Sequence, residues 1–274
     1  MEFIPTNLHY PESEKEKLCQ IKTLFKQWHK YFKDKKFIKN YSADDMVFDG
    51  FYPYYFSQKQ KILFIGRESY WATGENYISW MFNAYKRKYI GNKYINQYPF
   101  HRRMMYVAYG LNNAFVEFQK IPYADEIAES FATRAGVSFA FMNISKFSNE
   151  SKNTNSDRDL IDSSFVASYN KSENFILKEI DILEPDIVIT MNLGTIDKMS
   201  AFGNPKELLR LNQVYAFQLN TQAKKNILLL DTFHFSAWNK SEEKDIYLHL
   251  GAIALLDVIT LLLAVVLFPF IWQD

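Results

Sequence analysis

The chain has 274 residues, of which 48% are hydrophobic and 23% charged, and its formal net charge is +1 at pH 7. This length and composition predict one domain with a sizeable core, and the near-neutral charge excludes binding that depends on an overall basic protein. Cys19 is the only cysteine, which excludes an internal disulfide framework and a cysteine-rich zinc site. The first residues lack the basic and then apolar pattern of a secretory signal, so we expect a cytoplasmic protein.

The elements predicted along the chain alternate between helices and strands. An amphipathic helix over 13–32 comes first, and an aromatic turn segment over 46–56 follows it. Buried strands are predicted at 61–66, 137–144, 186–193 and 226–233, and helices at 101–119, 123–135, 165–183 and 204–211. The polar stretch 148–159 is predicted to be an exposed loop. This alternation predicts an α/β fold with a mainly parallel sheet.

The predicted organisation has three parts: an N-terminal helix and aromatic lead-in (1–59), an α/β domain (60–250) and an apolar tail (251–274). Residues 251–272 are apolar apart from Asp257 and Thr260, and their length would just span a bilayer. Two interpretations stay open. The segment is either a closing helix over 242–256 followed by chain packed on the core, or a C-terminal membrane tether in which Asp257 would cost about 2.5–3.5 kcal/mol.

Polar side chains follow the predicted strands where each strand ends, and ligands of open α/β sheets bind outside these carboxyl ends. Glu68 follows the first strand, Asn143 lies on the second, and His234 follows the fourth. A carboxylate can act as a general base, an asparagine amide can pair with the amide edge of a nucleobase, and a neutral histidine can donate to an oxyanion. Each residue also has an ordinary alternative: a loop glutamate paired with a lysine, a turn asparagine and a structural histidine.

A basic and aromatic stretch lies between Glu75 and Glu117, where the chain has no acidic residue. Its cations are Lys86, Arg87, Lys88, Lys93, Arg102 and Arg103, and its aromatic residues include Trp80, Tyr85, Tyr89, Tyr94, Tyr98, Phe100 and Tyr106. Basic groups among aromatic rings suit a phosphate backbone and stacked or flipped bases. The alternative is a solvated helix face with an aromatic core side.

Three short motifs resemble those of the uracil-DNA glycosylase superfamily: GRESY (66–70), FAFMNISK (139–146) and HFSAW (234–238). The resemblance covers roughly residues 60–250. It implies a three-layer α/β/α sandwich with a central, mainly parallel four-stranded sheet. It also implies an enzyme that needs no metal or cofactor.

The resemblance further implies a role for each motif residue. Glu68 and His234 would be the catalytic residues, which activate water and stabilise the leaving base. The residues expected to bind substrate are Gly66, Arg67, Tyr70, Trp71, Asn143, Ser236 and Trp238, with Asn143 reading the base, Ser236 contacting a phosphate and Trp238 acting as a wedge. The residues expected to contact the nucleic-acid backbone come from the basic stretch instead, namely Lys86, Arg87, Lys88, Arg102 and Arg103, together with Lys146 of the second motif.

The function implied is base excision, in which uracil or a related damaged base is flipped out of DNA and its N-glycosidic bond is hydrolysed. Two alternatives stay open. The chain could be a glycosylase-fold protein that binds nucleic acid or a nucleotide without catalysis, or a membrane-tethered interaction protein in which the tail over 251–272 is the functional element.

Overall fold

The computed structural model describes residues 1–34, 40–151, 155–169, 173–193, 200–203, 205–211 and 214–254. The chain has an α/β fold built on a seven-stranded, mostly parallel sheet. The strands are β1 (Gly50–Phe51), β2 (Ile62–Gly66), β3 (Tyr89–Ile90), β4 (Lys93–Tyr94), β5 (Ala140–Asn143), β6 (Ile187–Met191), β7 (Lys206–Leu211), β8 (Val214–Leu219) and β9 (Ile227–Thr232). The α-helices include α1 (Lys15–Lys33), α2 (Tyr77–Arg87), α3 (Pro99–Asn112), α4 (Ala124–Ser130), α5 (Arg158–Ser168) and α6 (Phe175–Leu183).

The main sheet has the strand order β1-β5-β2-β6-β9-β8-β7, and β3 pairs with β4 in a separate small hairpin. The four central strands β5, β2, β6 and β9 are parallel to one another. They coincide with the four buried apolar runs of the sequence, as expected for strands that are covered on both faces. The prediction of a four-stranded sheet is nevertheless wrong, because antiparallel strands extend it: β1 on one edge, and β8 followed by β7 on the other.

The helix predicted over 204–211 is also wrong. Residues Lys206–Leu211 form strand β7, which pairs with β8, and β8 pairs in turn with β9. The spacing of the leucines in this stretch is compatible with both a helix and an edge strand. Pairing with β8, a contact that a local pattern does not contain, decides the conformation.

Helices pack around the sheet in two groups. Helix α1 packs against α6, whereas α2 and α3 pack against α4. One hydrophobic core extends from Leu8 to Ile253, and it includes the aromatic residues of the lead-in segment. The N-terminal part, predicted as a separate lead-in, therefore contributes helix α1 and strand β1 to the same core and the same sheet.

The closing helix predicted over 242–256 is present over 242–254, and it begins with a π-helical turn, Glu242–Tyr247. Residues 255–274, which contain most of the predicted apolar tail, lie outside the described part of the chain. Among the helices that the structure describes, none is both long enough and apolar enough to cross a membrane.

The strand order creates a crevice between β2 and β6. From β2 the chain continues to β5 on one side, whereas from β6 it continues to β9 on the other side. The segments that follow these two neighbouring strands therefore diverge, which leaves an opening outside their carboxyl ends. The predicted catalytic residues lie at this opening.

Candidate active site

A cavity of about 830 Å³ opens at the carboxyl ends of the parallel strands. Its walls include most of the side chains predicted to bind or transform a substrate. These are Arg67, Glu68, Tyr70, Trp71, Asn143, His234 and Ser236. The structure thus brings together three sequence motifs that are separated by many residues along the chain.

Asn143 lies at the inner end of this cavity, next to Gly66. A Cβ atom at Gly66 would overlap Asn143 Oδ1 and would lie 3.1 Å from Phe141 Cζ, so only glycine lets the amide lie against strand β2. The Asn143 backbone N–H donates to Asp49 Oδ2 at 2.8 Å. The side chain is 3% exposed, and no described residue forms a hydrogen bond with its amide. Asn143 therefore presents a free donor and a free acceptor to a ligand.

Glu68 follows the turn after β2 and is partly buried. Its Oε1 accepts a hydrogen bond from the Asp157 backbone N–H at 3.1 Å. Burial raises the pKa of the Glu68 carboxyl, although the Asp157 N–H and the positive charge of Arg67 oppose part of this effect. A carboxylate with a raised pKa is a stronger base toward water than an ordinary surface glutamate.

Arg67 joins the segments on the two sides of the crevice. Its Nε and Nη2 donate to the Asn192 carbonyl oxygen at 3.0 and 2.7 Å, and its Nη1 donates to Ser156 Oγ at 3.3 Å. Asn192, which follows β6, has a left-handed backbone with φ of 53°. Arg67 therefore holds the turn after β2 against the turn after β6, and its positive charge faces the cavity.

His234 follows β9 and presents one ring nitrogen to Ser236. Its Nδ1 lies 2.6 Å from Ser236 Oγ and 3.3 Å from the Ser236 backbone nitrogen. Because a backbone N–H can only donate, Nδ1 accepts, and the proton of the neutral ring is on Nε2. Burial lowers the pKa of His234 to about 4, and the positive charge of Arg67 adds to the effect. His234 is thus a neutral hydrogen-bond donor near pH 7.

Arg103 holds the segment over 234–240, here called the histidine loop, and is not exposed to a ligand in solvent. It is 4% exposed. Its Nη1 donates to the carbonyl oxygens of Phe235 and Ala237 at 2.6 and 2.9 Å, and its Nη2 donates to that of Lys240 at 2.8 Å. The prediction that Arg103 contacts a nucleic-acid backbone is wrong, because its donors hold the segment that carries His234.

Lys146 is fully buried, so the prediction that it contacts a nucleic-acid backbone is also wrong. Its ammonium lies 2.6 Å from Asp49 Oδ1 and 2.9 Å from Glu179 Oε2. Burial alone would lower the pKa of Lys146, but the two carboxylates outweigh it and raise the pKa. Asp49 also accepts the backbone N–H of Asn143. The buried ion cluster therefore fixes the end of strand β5, which carries the Asn143 amide.

The remaining predicted backbone contacts are mostly occupied by internal partners. Lys86 Nζ donates to the carbonyl oxygens of residues 128, 129 and 131, close to the end of α4. Lys88 forms an ion pair with Glu129 at 2.6 Å, and Arg102 forms one with Glu242. Arg87 is exposed at the end of α2. The basic stretch of the sequence is therefore not a continuous free surface in the fold.

The aromatic residues of the motifs differ in their placement. The Tyr70 hydroxyl donates to the Asn155 carbonyl oxygen at 2.7 Å and accepts from Asn149 Nδ2 at 3.2 Å, which orients the ring in the cavity wall. Trp71, which is 59% exposed, lies at the cavity mouth. Trp238 is 92% exposed and does not line the cavity, so the structure does not bring it to the other site residues.

Several residues at the cavity were not predicted from the sequence as site residues. Phe100 and Phe141 line the cavity, and the ring of Phe100 lies 5.4 Å from the His234 ring and 6.2 Å from the Phe141 ring. Phe141 could have been found, because it lies two residues before Asn143 and alternate residues of a strand share a face. The described part of the loop predicted over 148–159 also contributes. Asn149 is buried there rather than exposed, and Asp157 holds Glu68.

Comparison of the sequence with models of known protein families and with curated proteins finds no match. Within the residues that the structure describes, no group of three or more histidine, cysteine, aspartate or glutamate side chains is arranged to hold a metal ion. The geometry of the cavity is therefore the basis on which a function can be assigned.

Proposed function

We propose that the chain is an N-glycosidic hydrolase of the uracil-DNA glycosylase type, which excises uracil or a related damaged base from DNA. One observation carries the proposal. An unpartnered asparagine amide, a carboxylate of raised pKa and a neutral histidine donor line one aromatic cavity at the carboxyl edge of the sheet. The resemblance of the three motifs gains support from this convergence. The two groups of helices around the sheet agree with a three-layer α/β/α arrangement.

Base recognition falls to the inner part of the cavity. The Asn143 amide can donate to a carbonyl and accept from the neighbouring N–H of a uracil edge, a pair that thymine also offers. Phe100 and Phe141 supply apolar walls for the ring. Tyr70, held by Asn149 and Asn155, provides the fixed bulk that would exclude a 5-methyl group. Flipping the base costs a few kcal/mol of unstacking, which these contacts offset.

The chemistry divides between Glu68 and His234. Water attacks the sugar C1′ and gives a proton to the Glu68 carboxylate, while the C1′–N bond breaks and its electron pair moves onto the base. The charge that develops on the O2 atom of the base receives a hydrogen bond from His234 Nε2–H. The carboxylate also stabilises the positive charge that builds at C1′. The products are an abasic site and the anion of the base, which takes up a proton from solvent to give the free base, while Glu68 returns its proton to solvent.

Rate effects typical of enzymes indicate how much His234 and Glu68 would each contribute to catalysis. One oxyanion donor is worth about 10²–10³ in rate, and a positioned general base about 10²–10⁴. A preorganised neutral donor needs no proton transfer before the reaction. His234 meets this condition because its pKa, about 4, keeps it neutral over the physiological range.

The experiment is excision from a labelled single-stranded oligonucleotide that carries one uracil, followed by alkaline cleavage of abasic sites. We expect cleavage by the wild-type chain and a loss of at least 100-fold in Glu68→Gln and His234→Ala. Cleavage by both variants at the wild-type rate would contradict the assigned roles. Absence of cleavage by the wild type, with binding of the oligonucleotide retained, would favour the alternative of a non-catalytic nucleic-acid-binding protein.

A further inference from the structure

The outer part of the cavity is an open aromatic rim, which base recognition and catalysis as described above do not use. Trp71 and Trp80 line the cavity and are 59% and 38% exposed, and Tyr98 lies in the same wall. Large exposed aromatic side chains at a cavity mouth are typical of binding surfaces. The volume of about 830 Å³ lies in the upper part of the range for ligand cavities and exceeds the need of a single base.

Two exposed cations lie beside this rim. Arg87 follows Trp80 by seven residues on helix α2, which places it on the same helix face about 10 Å further along the axis. Lys93 is exposed on the small hairpin, and its ammonium lies 5.9 Å from the centre of the Tyr98 ring. The rim thus combines aromatic faces with a few positive charges, the combination that binds single strands through stacking and phosphate contacts.

The other cations of the basic stretch are not arranged as a duplex-binding surface. A duplex-binding surface neutralises many phosphates, and its affinity depends steeply on salt. Here Lys86, Lys88 and Arg102 have internal partners, and Arg103 and Lys146 are buried. The few free charges near the cavity do not form such a surface, whereas the exposed tryptophans offer faces on which any base can stack.

We infer that Trp71 and Trp80 stack on the nucleobases that flank the flipped base, so that the chain takes single-stranded nucleic acid as its substrate. The inference rests on the proposed function and extends it to the neighbouring nucleotides. In a single strand the flanking bases are free to leave one another and lie on the tryptophans. In a duplex the same contacts would require further base pairs to open, so the rim contributes less to duplex binding.

The experiment measures fluorescence anisotropy of a labelled 12-nucleotide single strand that contains no uracil, and of the same sequence as a duplex. The variants are Trp71→Ala, Trp80→Ala and Trp80→Phe, and Tyr123→Ala is the control. Tyr123 is 67% exposed and does not line the cavity. Circular dichroism and Tm of each variant confirm the fold.

We expect the wild type to bind the single strand at least tenfold more tightly than the duplex. Each tryptophan-to-alanine change should weaken single-strand binding by about 5- to 140-fold, the range that corresponds to one stacked base. Trp80→Phe should restore most of the affinity, and Tyr123→Ala should bind as the wild type does. Equal affinity for single strand and duplex, or unchanged affinity in Trp71→Ala and Trp80→Ala, would overturn the inference.

The readout separates this inference from the proposed function, because the oligonucleotide carries no base to excise. Uracil excision that survives in the two alanine variants, together with unchanged binding, would leave the glycosylase proposal intact and remove the role of the rim. Tryptophan-dependent binding by a chain that excises nothing would support the rim and reject catalysis.

Discussion

Replacing Gly66 by alanine tests whether the close contact between strand β2 and Asn143 is what aims the amide. The added Cβ would overlap Asn143 Oδ1 and would lie 3.1 Å from Phe141 Cζ. Asn143 and Phe141 are both buried and line the cavity, so the added methyl group fits only if one of these side chains is displaced from its present position. Forcing a methyl group into such a site costs about 1–3 kcal/mol of unfolding free energy.

The effect on catalysis follows from the displaced amide. If Asn143 turns away from the cavity, the two hydrogen bonds proposed between its amide and the base are lost, each worth roughly 1–1.5 kcal/mol. A total of about 2–3 kcal/mol corresponds to a decrease in kcat/KM of about 30- to 140-fold. The assays are uracil-excision kinetics and urea unfolding on the same preparations.

Gly203→Ala is the matched control for the loss of stability. Gly203 has a φ of 78°, so alanine there is strained, but its Cβ would meet its nearest atoms at 3.7 and 3.8 Å, which are ordinary contacts. We expect Gly203→Ala to lose about 1–2 kcal/mol of unfolding free energy and to keep its kcat/KM. Wild-type stability and wild-type kcat/KM in Gly66→Ala would contradict this prediction, as would an equal loss of activity in both variants.

Three further predictions concern titration and the buried charges. Burial raises the pKa of Glu68, and the proposed mechanism uses its carboxylate form. On acidification, kcat/KM should therefore fall already at a pH above the ordinary glutamate range. An acid limb at or below about pH 4.3 would contradict this. The His234 ring protons should titrate in NMR spectra with a midpoint of about 4. Since this folded-state pKa lies below the unfolded value of about 6.5, the histidine's contribution to stability is present above pH 6.5 and is lost as the pH falls to 4. A midpoint of 6.5 or higher would exclude the buried neutral ring. Lys146→Met leaves two buried carboxylates without their cation and should lower the unfolding free energy, measured in urea, by about 3–5 kcal/mol. The control Lys178→Met removes a solvent-accessible ion pair with Glu173 and should change the unfolding free energy by less than about 1 kcal/mol. Equal effects of the two changes would show that the buried cluster stabilises the fold no more than a surface ion pair does.

The parallel centre of the sheet, and the edge of it at which the site lies, could be predicted from the sequence. The four buried runs are continuous and apolar because the strands are covered on both faces, and this is a local property that a pattern can reveal. The first helix was predicted over 13–32 and is found as Lys15–Lys33 for a similar reason, since its apolar residues recur at helical spacing. Glu68, Asn143 and His234 could be placed together because each lies at a strand end.

Tertiary structure alone decided what the charged residues do. In the sequence, Lys146 and Arg103 are indistinguishable from cations that contact phosphates. In the fold they hold β5 and the histidine loop through partners 33 to 137 residues away. The antiparallel edge strands were likewise set by pairing rather than by local pattern. Long-range pairing selects among conformations and partners that the sequence pattern leaves equivalent, because the free energy of an ion pair or a strand edge depends on which neighbour the fold supplies.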